Sequence, residues 1–179
     1  MRNTMMLFPS IPETPRLPLL YVLLVDDNAV NRALMKRFIT NHVKNYRIKP
    51  EEVEFDQAIN GQIASETVER RLREKKPHYD VIIMDINMSA TVEREGLIAT
   101  KNIRALEEAT AIERPAYIIR YSTDKPEPNE MELKEQGFNA MLNKHQTKQH
   151  EVDAVLIMAL AEHPALMKRR HDDTPKHSS

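Results

Sequence analysis

Short apolar runs alternate with amphipathic stretches along most of this 179-residue chain, and the alternation repeats five times. The apolar runs are Leu19–Val25, Val53–Ala58, Val81–Met84, Ala116–Tyr121 and Ala140–Leu142. Leu19–Val25 and Val81–Met84 are rich in Val, Ile and Leu and too short for surface helices, so they predict strands buried on both faces of a parallel sheet. The stretches between them carry apolar residues at helical spacing. A helix from about Ala29 is expected to turn Val30, Ala33, Leu34 and Phe38 inward, and one over Gln62–Lys75 to bury Ala64, Val68 and Leu72. A third, starting near Gly96, is expected to bury Leu97, Thr100, Ile103 and Leu106. A short helix around Asn129–Gln136 stops at Gly137, a residue suited to the left-handed turn that ends helices. The last, about Glu151–Ala161, packs Val152, Val155, Leu156 and Ala159. Strict strand–helix alternation implies an α/β domain with a parallel sheet and right-handed crossovers.

The pattern stops at both ends. Pro9, Pro12, Pro15 and Pro18 are too many for a helix or a central strand, so residues 1–18 read as an extended lead-in. Residues 19–163 form the domain, and 164–179 read as a disordered polar tail of mixed charge. Within the tail, Lys168, Arg169 and Arg170 read first as a frayed helix end and second as a small interaction patch.

Composition narrows the chemistry. Apolar residues make up 41% and charged residues 30%, which describes a soluble globular chain. A formal net charge of -1 offers no bulk attraction to nucleic acid. The absence of cysteine excludes disulfides, thiol catalysis and thiolate metal sites. No apolar run is long enough to span a bilayer, and prolines break the N-terminal stretch before it can form a signal-peptide core. The expectation is a cytoplasmic protein with neither membrane nor nucleic acid as partner. The seven histidines show no metal-ligand spacing and read mostly as surface residues. The 3 glycines form no phosphate-binding fingerprint.

Three carboxylates carry the candidate chemistry. Asp26 and Asp27 close LLYVLLVDD, and Asp85 closes YDVIIMD. In open α/β sheets the functional crevice lies at the carboxyl ends of the strands. Acids clustered there repel one another unless a cation or proton intervenes, and an all-oxygen ligand set suits Mg2+. The competing reading is that acids after strands cap the following helix.

These residues resemble the receiver domain of two-component response regulators, in motif style closest to the receivers of hybrid histidine kinases. LLVDDNAVNR, the Ala58–Gly61 entry into the second helix, YDVIIMDINM, and Ser122 with Lys144 carry the resemblance, which spans about Leu19 to Ala161. It implies a flavodoxin-like (βα)5 three-layer sandwich with a five-stranded parallel sheet of order 2-1-3-4-5. It also implies that Asp85 accepts a phosphoryl group from a histidine kinase or a histidine phosphotransfer protein. Mg2+ would be held directly by Asp27, Asp85 and the backbone carbonyl of Asn87, and through water by Asp26. Lys144 and Ser122 would each bind a phosphoryl oxygen, with Ser122 and Met141 at the switch positions. The family is not enzymatic beyond self-catalysed phosphotransfer and autodephosphorylation, and a stand-alone member signals by binding an output protein as a monomer or weak homodimer.

The chain departs from the family at four positions. Ser89 and His145 stand where proline is usual, Met141 replaces the switch aromatic, and Arg120 replaces a small residue. Without proline after Lys144, a cis bond there would cost roughly 2.5–4 kcal/mol, so a trans bond is expected. Arg120 is expected either to reach the acids or to snorkel to solvent. The loop before Gly96 is a few residues longer than usual. Two alternative functions follow: a receiver-fold interaction module that no longer switches and, ranked lower, a Mg-dependent phosphohydrolase, which would want an Asp where Asn87 stands.

Overall fold

The computed structural model of the chain describes residues 19–46, 48–89, 91–123, 127–161 and 163. The prolines of the lead-in and the Lys168–Arg170 patch lie outside the described residues. In chain order the elements are β1 (Leu20–Val25), α1 (Ala29–Lys44), β2 (Val53–Ala58), α2 (Gly61–Arg73), β3 (Val81–Asp85), α3 (Glu95–Ala109), β4 (Tyr117–Ser122), α4 (Glu130–Glu135), β5 (Ala140–Asn143) and α5 (Gln149–Ala159), with a 3-10 turn at Pro50–Glu52.

The strands form one parallel sheet of order β2-β1-β3-β4-β5. This is the flavodoxin-like arrangement. Every residue of β1 and β3 is buried, which is why both read as unbroken apolar runs rather than alternating ones. Successive side chains still point to opposite faces. Leu20, Val22 and Leu24 meet Met35 and Ile39 of α1 and Val152 and Leu156 of α5. Tyr21, Leu23 and Val25 meet Val68 of α2 and Ile103 of α3 on the other side.

Two expectations are corrected here. The inward stripe of α1 is Met35, Ile39, His42 and Val43, whereas Val30 is 72% exposed and Ala33 also faces solvent. A histidine inside the stripe disguised its apolar period. His42 tolerates burial because its Nδ1 lies 2.9 Å from Asp153 Oδ1 on α5. Nor are the described histidines mostly at the surface. His78 Nε2 lies 2.7 Å from Glu107 Oε1, and His163 Nε2 lies 3.0 Å from Asp80 Oδ1, so three of the five described histidines are paired with acids.

A further buried base ties α2 to the sheet. The Arg71 guanidinium lies 4.6 Å and 4.7 Å from the ring centres of Tyr21 and Tyr79. It also donates to Glu54, to Asp56 and to the Pro77 carbonyl. Burial first, then the bond to Asp56, pushes the Tyr79 hydroxyl well above its ordinary value.

Candidate functional site

Strand register sets the site. Val25 pairs with Ala58 and Met84, Asp85 with Tyr121, and Ser122 with Asn143, so all five carboxyl ends share one edge of the sheet. The loops after β1 and β3 leave this edge side by side. They bring Asp26, Asp27 and Asp85 together, each offering an oxygen within 4.8 Å of the others.

The helix-capping account of the acids does not hold. Asn28 is the N-cap of α1, its side chain accepting the Val30 N–H at 2.8 Å, so neither Asp26 nor Asp27 serves as the cap. Asp26 instead accepts the Asn28 N–H at 2.8 Å and both contacts of the Asn31 amide, at 3.1 Å and 3.0 Å. Asp27 is exposed. Arg32 holds the turn from below: it donates to the carbonyls of Asp26 and Asp27 and, through Nε, to Gln57 Oε1 at 2.8 Å. Asn31 and Arg32 were missed as site residues, although both stand in the motif LLVDDNAVNR. The signal was their spacing, which brings the first turn of α1 back over the strand end.

Lys144 reaches this cluster from the loop after β5. Its Nζ lies 2.8 Å from Asp26 Oδ2 and 2.6 Å from Asp85 Oδ2. Beneath it, 5.2 Å away, is the buried ring of Tyr121. Burial pushes the Asp85 carboxyl above its ordinary value; Lys144 opposes the shift and Asp26 adds to it. The Tyr121 hydroxyl is pushed up to about 12 by burial and then by the charges of Asp26 and Asp85.

Ser122 closes β4 one residue past the partner of Asp85 and is buried, and its carbonyl accepts the Lys144 N–H at 3.1 Å. Asn87 is exposed, with its N–H donating to Asp85 Oδ1 at 3.2 Å. Met141 is half-buried against the α2–α3 side of the core. Arg120 lies between Met84 and Met141 in register and is only 4% exposed, so it does not snorkel to solvent. Gly96 docks α3 against the site: its N–H donates to the Ile86 carbonyl at 3.0 Å, and a Cβ there would fall 1.8 Å from the Asp85 carbonyl oxygen. Ser89 caps the start of the intervening loop by accepting the Thr91 and Val92 N–H groups.

The donor set fits a hard divalent cation. It offers three carboxylates, with no nitrogen or sulfur ligand, and the exposed Asn87 follows two residues after Asp85. Among the described residues this is the only cluster of three or more such side chains that could hold a metal ion.

Comparisons with known proteins agree with this geometry. The oxidative stress response two-component system protein SSK1 of Candida albicans is 33% identical over 96 residues, which is 54% of this chain and 12% of that much longer protein. The receiver domain of the sensor histidine kinase PA1611 from Pseudomonas aeruginosa PAO1 superposes with a TM-score of 0.55 at 23% identity, covering 80% of this chain and 98% of that one. That structure holds a magnesium ion in its active-site cleft. The Mn(2+)-bound response regulator Rcp1 gives a TM-score of 0.54 at 18% identity over 79% of this chain and 95% of its own. At such identities the structural matches establish the fold alone. A family model for the response regulator receiver domain matches residues 22–156, most of the chain, and the chain therefore belongs to the response regulator receiver domain family of two-component signalling.

Proposed function

We propose that this chain is a phosphorylatable receiver in which Asp85 takes a phosphoryl group from a phosphohistidine on a histidine kinase or a histidine phosphotransfer protein. The observation that carries the reading is Lys144 bridging Asp26 and Asp85 at the head of an acid cluster. Asp85 attacks phosphorus through a carboxylate oxygen; the P–O bond forms as the P–N bond to the donor imidazole breaks, and the imidazole leaves with the electron pair. Lys144 moves from the Asp85 oxygen to a phosphoryl oxygen, and Ser122 donates its hydroxyl to another. Asn31 and Arg32 keep Asp26 and the turn carrying Asp27 in place throughout. Asp26, Asp27, Asp85 and the Asn87 carbonyl would hold Mg2+, which when bound neutralises charge developing on the transferred group.

The output is the binding of a partner protein, the chain acting by itself in the cytoplasm as a monomer or weak homodimer, with no catalytic turnover beyond loss of its own phosphate. Incubation with acetyl phosphate and Mg2+ tests this by intact mass: one phosphoryl group is expected on the native chain and none on Asp85→Asn. An unchanged mass on the native chain would favour the alternative of a non-switching interaction module, to which Met141 at the switch position points. Sustained release of phosphate from many substrate molecules would favour the phosphohydrolase reading.

A further inference from the structure

Helices α2 and α3 close on each other at their first turns. There the Gly61 N–H donates to Glu95 Oε1 at 3.1 Å, and a Cβ on Gly61 would meet Glu95 at 2.9 Å. Beyond that contact a groove of about 610 Å³ runs between the two helices. Its lining on α3 extends from Glu95 to Leu106, about 17 Å of helix axis. Val92, Ile98 and Leu106 make that side apolar, with Val92 41% and Ile98 50% exposed. One exposed aliphatic side chain is ordinary, but several sharing a concavity mark a contact surface.

The charge lining the groove is of one sign. Glu66 and Glu69 stand one turn apart on α2, and both are exposed. Glu95 closes the end of the groove, its Oε2 buried with no hydrogen-bond partner among the described residues. Among the described residues that line the groove, none is lysine or arginine. An apolar strip beside acids is complementary to an apolar strip beside bases. The long walls also decide the shape of the occupant. Both are helices, whose backbone groups bond within their own turns, so no sheet edge is open to an extended strand. An occupant that satisfies its own backbone is a helix.

We propose that the α2–α3 groove docks an amphipathic helix of a partner protein, about three turns long. Its aliphatic residues, at i, i+3 or i+4 and i+7, lie against Val92, Ile98 and Leu106, and lysines or arginines along one flank face Glu66 and Glu69. The apolar strip supplies affinity, while the acids fix the orientation and reject acidic helices. The groove shares no residue with the acid cluster, and docking there does not depend on phosphorylation of Asp85.

The probe is a synthetic helical peptide of about 15 residues, with leucines at that spacing and lysines on one flank. It is titrated into the isotope-labelled protein with no phosphodonor present. The Ser65, Ile98 and Asn102 amides are expected to shift. Affinity should fall roughly tenfold in Glu66→Lys with Glu69→Lys and several-fold in Ile98→Ser, and it should weaken as salt is raised. All three side chains are exposed, and unaltered amide positions on the α1–α5 side will show that the variants are folded. Four results would overturn the proposal. They are no shift of these amides at millimolar peptide, equal shifts from a scrambled peptide of the same composition, affinity indifferent to the charge reversal, or the same shifts on concentrating the protein alone, which would assign the groove to a second copy. Phosphorylation of Asp85 by acetyl phosphate is measured separately, and its failure would leave these shifts in place.

Discussion

Lys144 is held between two unlike surfaces, the carboxylates of Asp26 and Asp85 at 2.8 Å and 2.6 Å on one side and the face of the Tyr121 ring, 5.2 Å away, on the other. The ring face carries partial negative charge, worth about 0.5–2 kcal/mol to a nearby ammonium. Tyr121→Leu keeps the apolar volume but removes that face. It should slow phosphorylation of Asp85 by acetyl phosphate roughly 2- to 30-fold, whereas Tyr121→Phe stays close to the native rate. Equal slowing in both variants would mean that the ring acts through packing alone.

The Asp85 carboxyl is raised chiefly by burial, so the folded state binds a proton that the unfolded chain at the same pH has lost. Between the ordinary carboxylate value and the raised one, stability therefore falls as pH rises, and ionised Asp85 is a cost at neutral pH. Asp85→Asn removes the charge and keeps the shape. It should stabilise the protein at pH 7 by on the order of 1 kcal/mol, about 2–4 °C in melting temperature. The gain should vanish below the ordinary carboxylate range, where Asp85 is protonated in both states. Thermal melts at pH 7 and pH 3 check the sign.

Lys144 is the main influence holding the Asp85 carboxyl down against burial. In Lys144→Ala the titration of the Asp85 carboxyl carbon, followed by NMR, should move to higher pH. A shift in the opposite direction would show that Lys144 and Asp85 are not paired in solution.

Mg2+ should raise the melting temperature of the native chain in a concentration-dependent way, since a ligand of the folded state alone stabilises by mass action. Amides near Asp27, Asp85 and Asn87 should shift in the same titration. Asp27→Ala, which removes the exposed acid of the cluster, should abolish most of the effect while leaving the stability without Mg2+ within about 0.5 kcal/mol of native.

Hydrogen exchange with and without a beryllofluoride mimic should change most from Ser122 to Asn129. Met141 is a flexible side chain already half-buried, so little is gained by moving it, while the far end of this loop is tied to β5 by Asn143 donating to Glu127 Oε1 at 2.9 Å. An unaffected loop in a protein that binds the mimic would mean phosphoacceptor chemistry without a switch.

The two central strands β1 and β3 and the acid cluster were readable in the sequence for one reason. Parallel strands buried on both faces are continuous apolar runs, and the acids stand where those runs stop. Lys144 and Ser122 could be found only through the family pattern, since nothing local in NKHQTKQH or YSTD sets them apart. What stayed hidden was burial achieved by pairing. His42 with Asp153 and His78 with Glu107 join residues far apart in sequence, and each looks polar until its partner is known. Arg71 is the clearest case, a base in the last turn of α2 whose two aromatic neighbours come from β1 and from the segment before β3. The hydrophobic stripe of α1 was misplaced by the same effect.

Gly96 gives the loop after β3 two fixed ends. Its N–H closes onto the Ile86 carbonyl, and its missing side chain lets α3 rest directly on the Asp85 carbonyl, where a methyl would lie 1.8 Å from oxygen. Everything between is a cassette spliced in at a clamp, so its length and sequence can drift without moving Asp85. Ser89, Thr91 and Val92 stand in that cassette, held together by the Ser89 hydroxyl. The clamp itself is the part that cannot change: Gly96→Ala should cost about 1–3 kcal/mol.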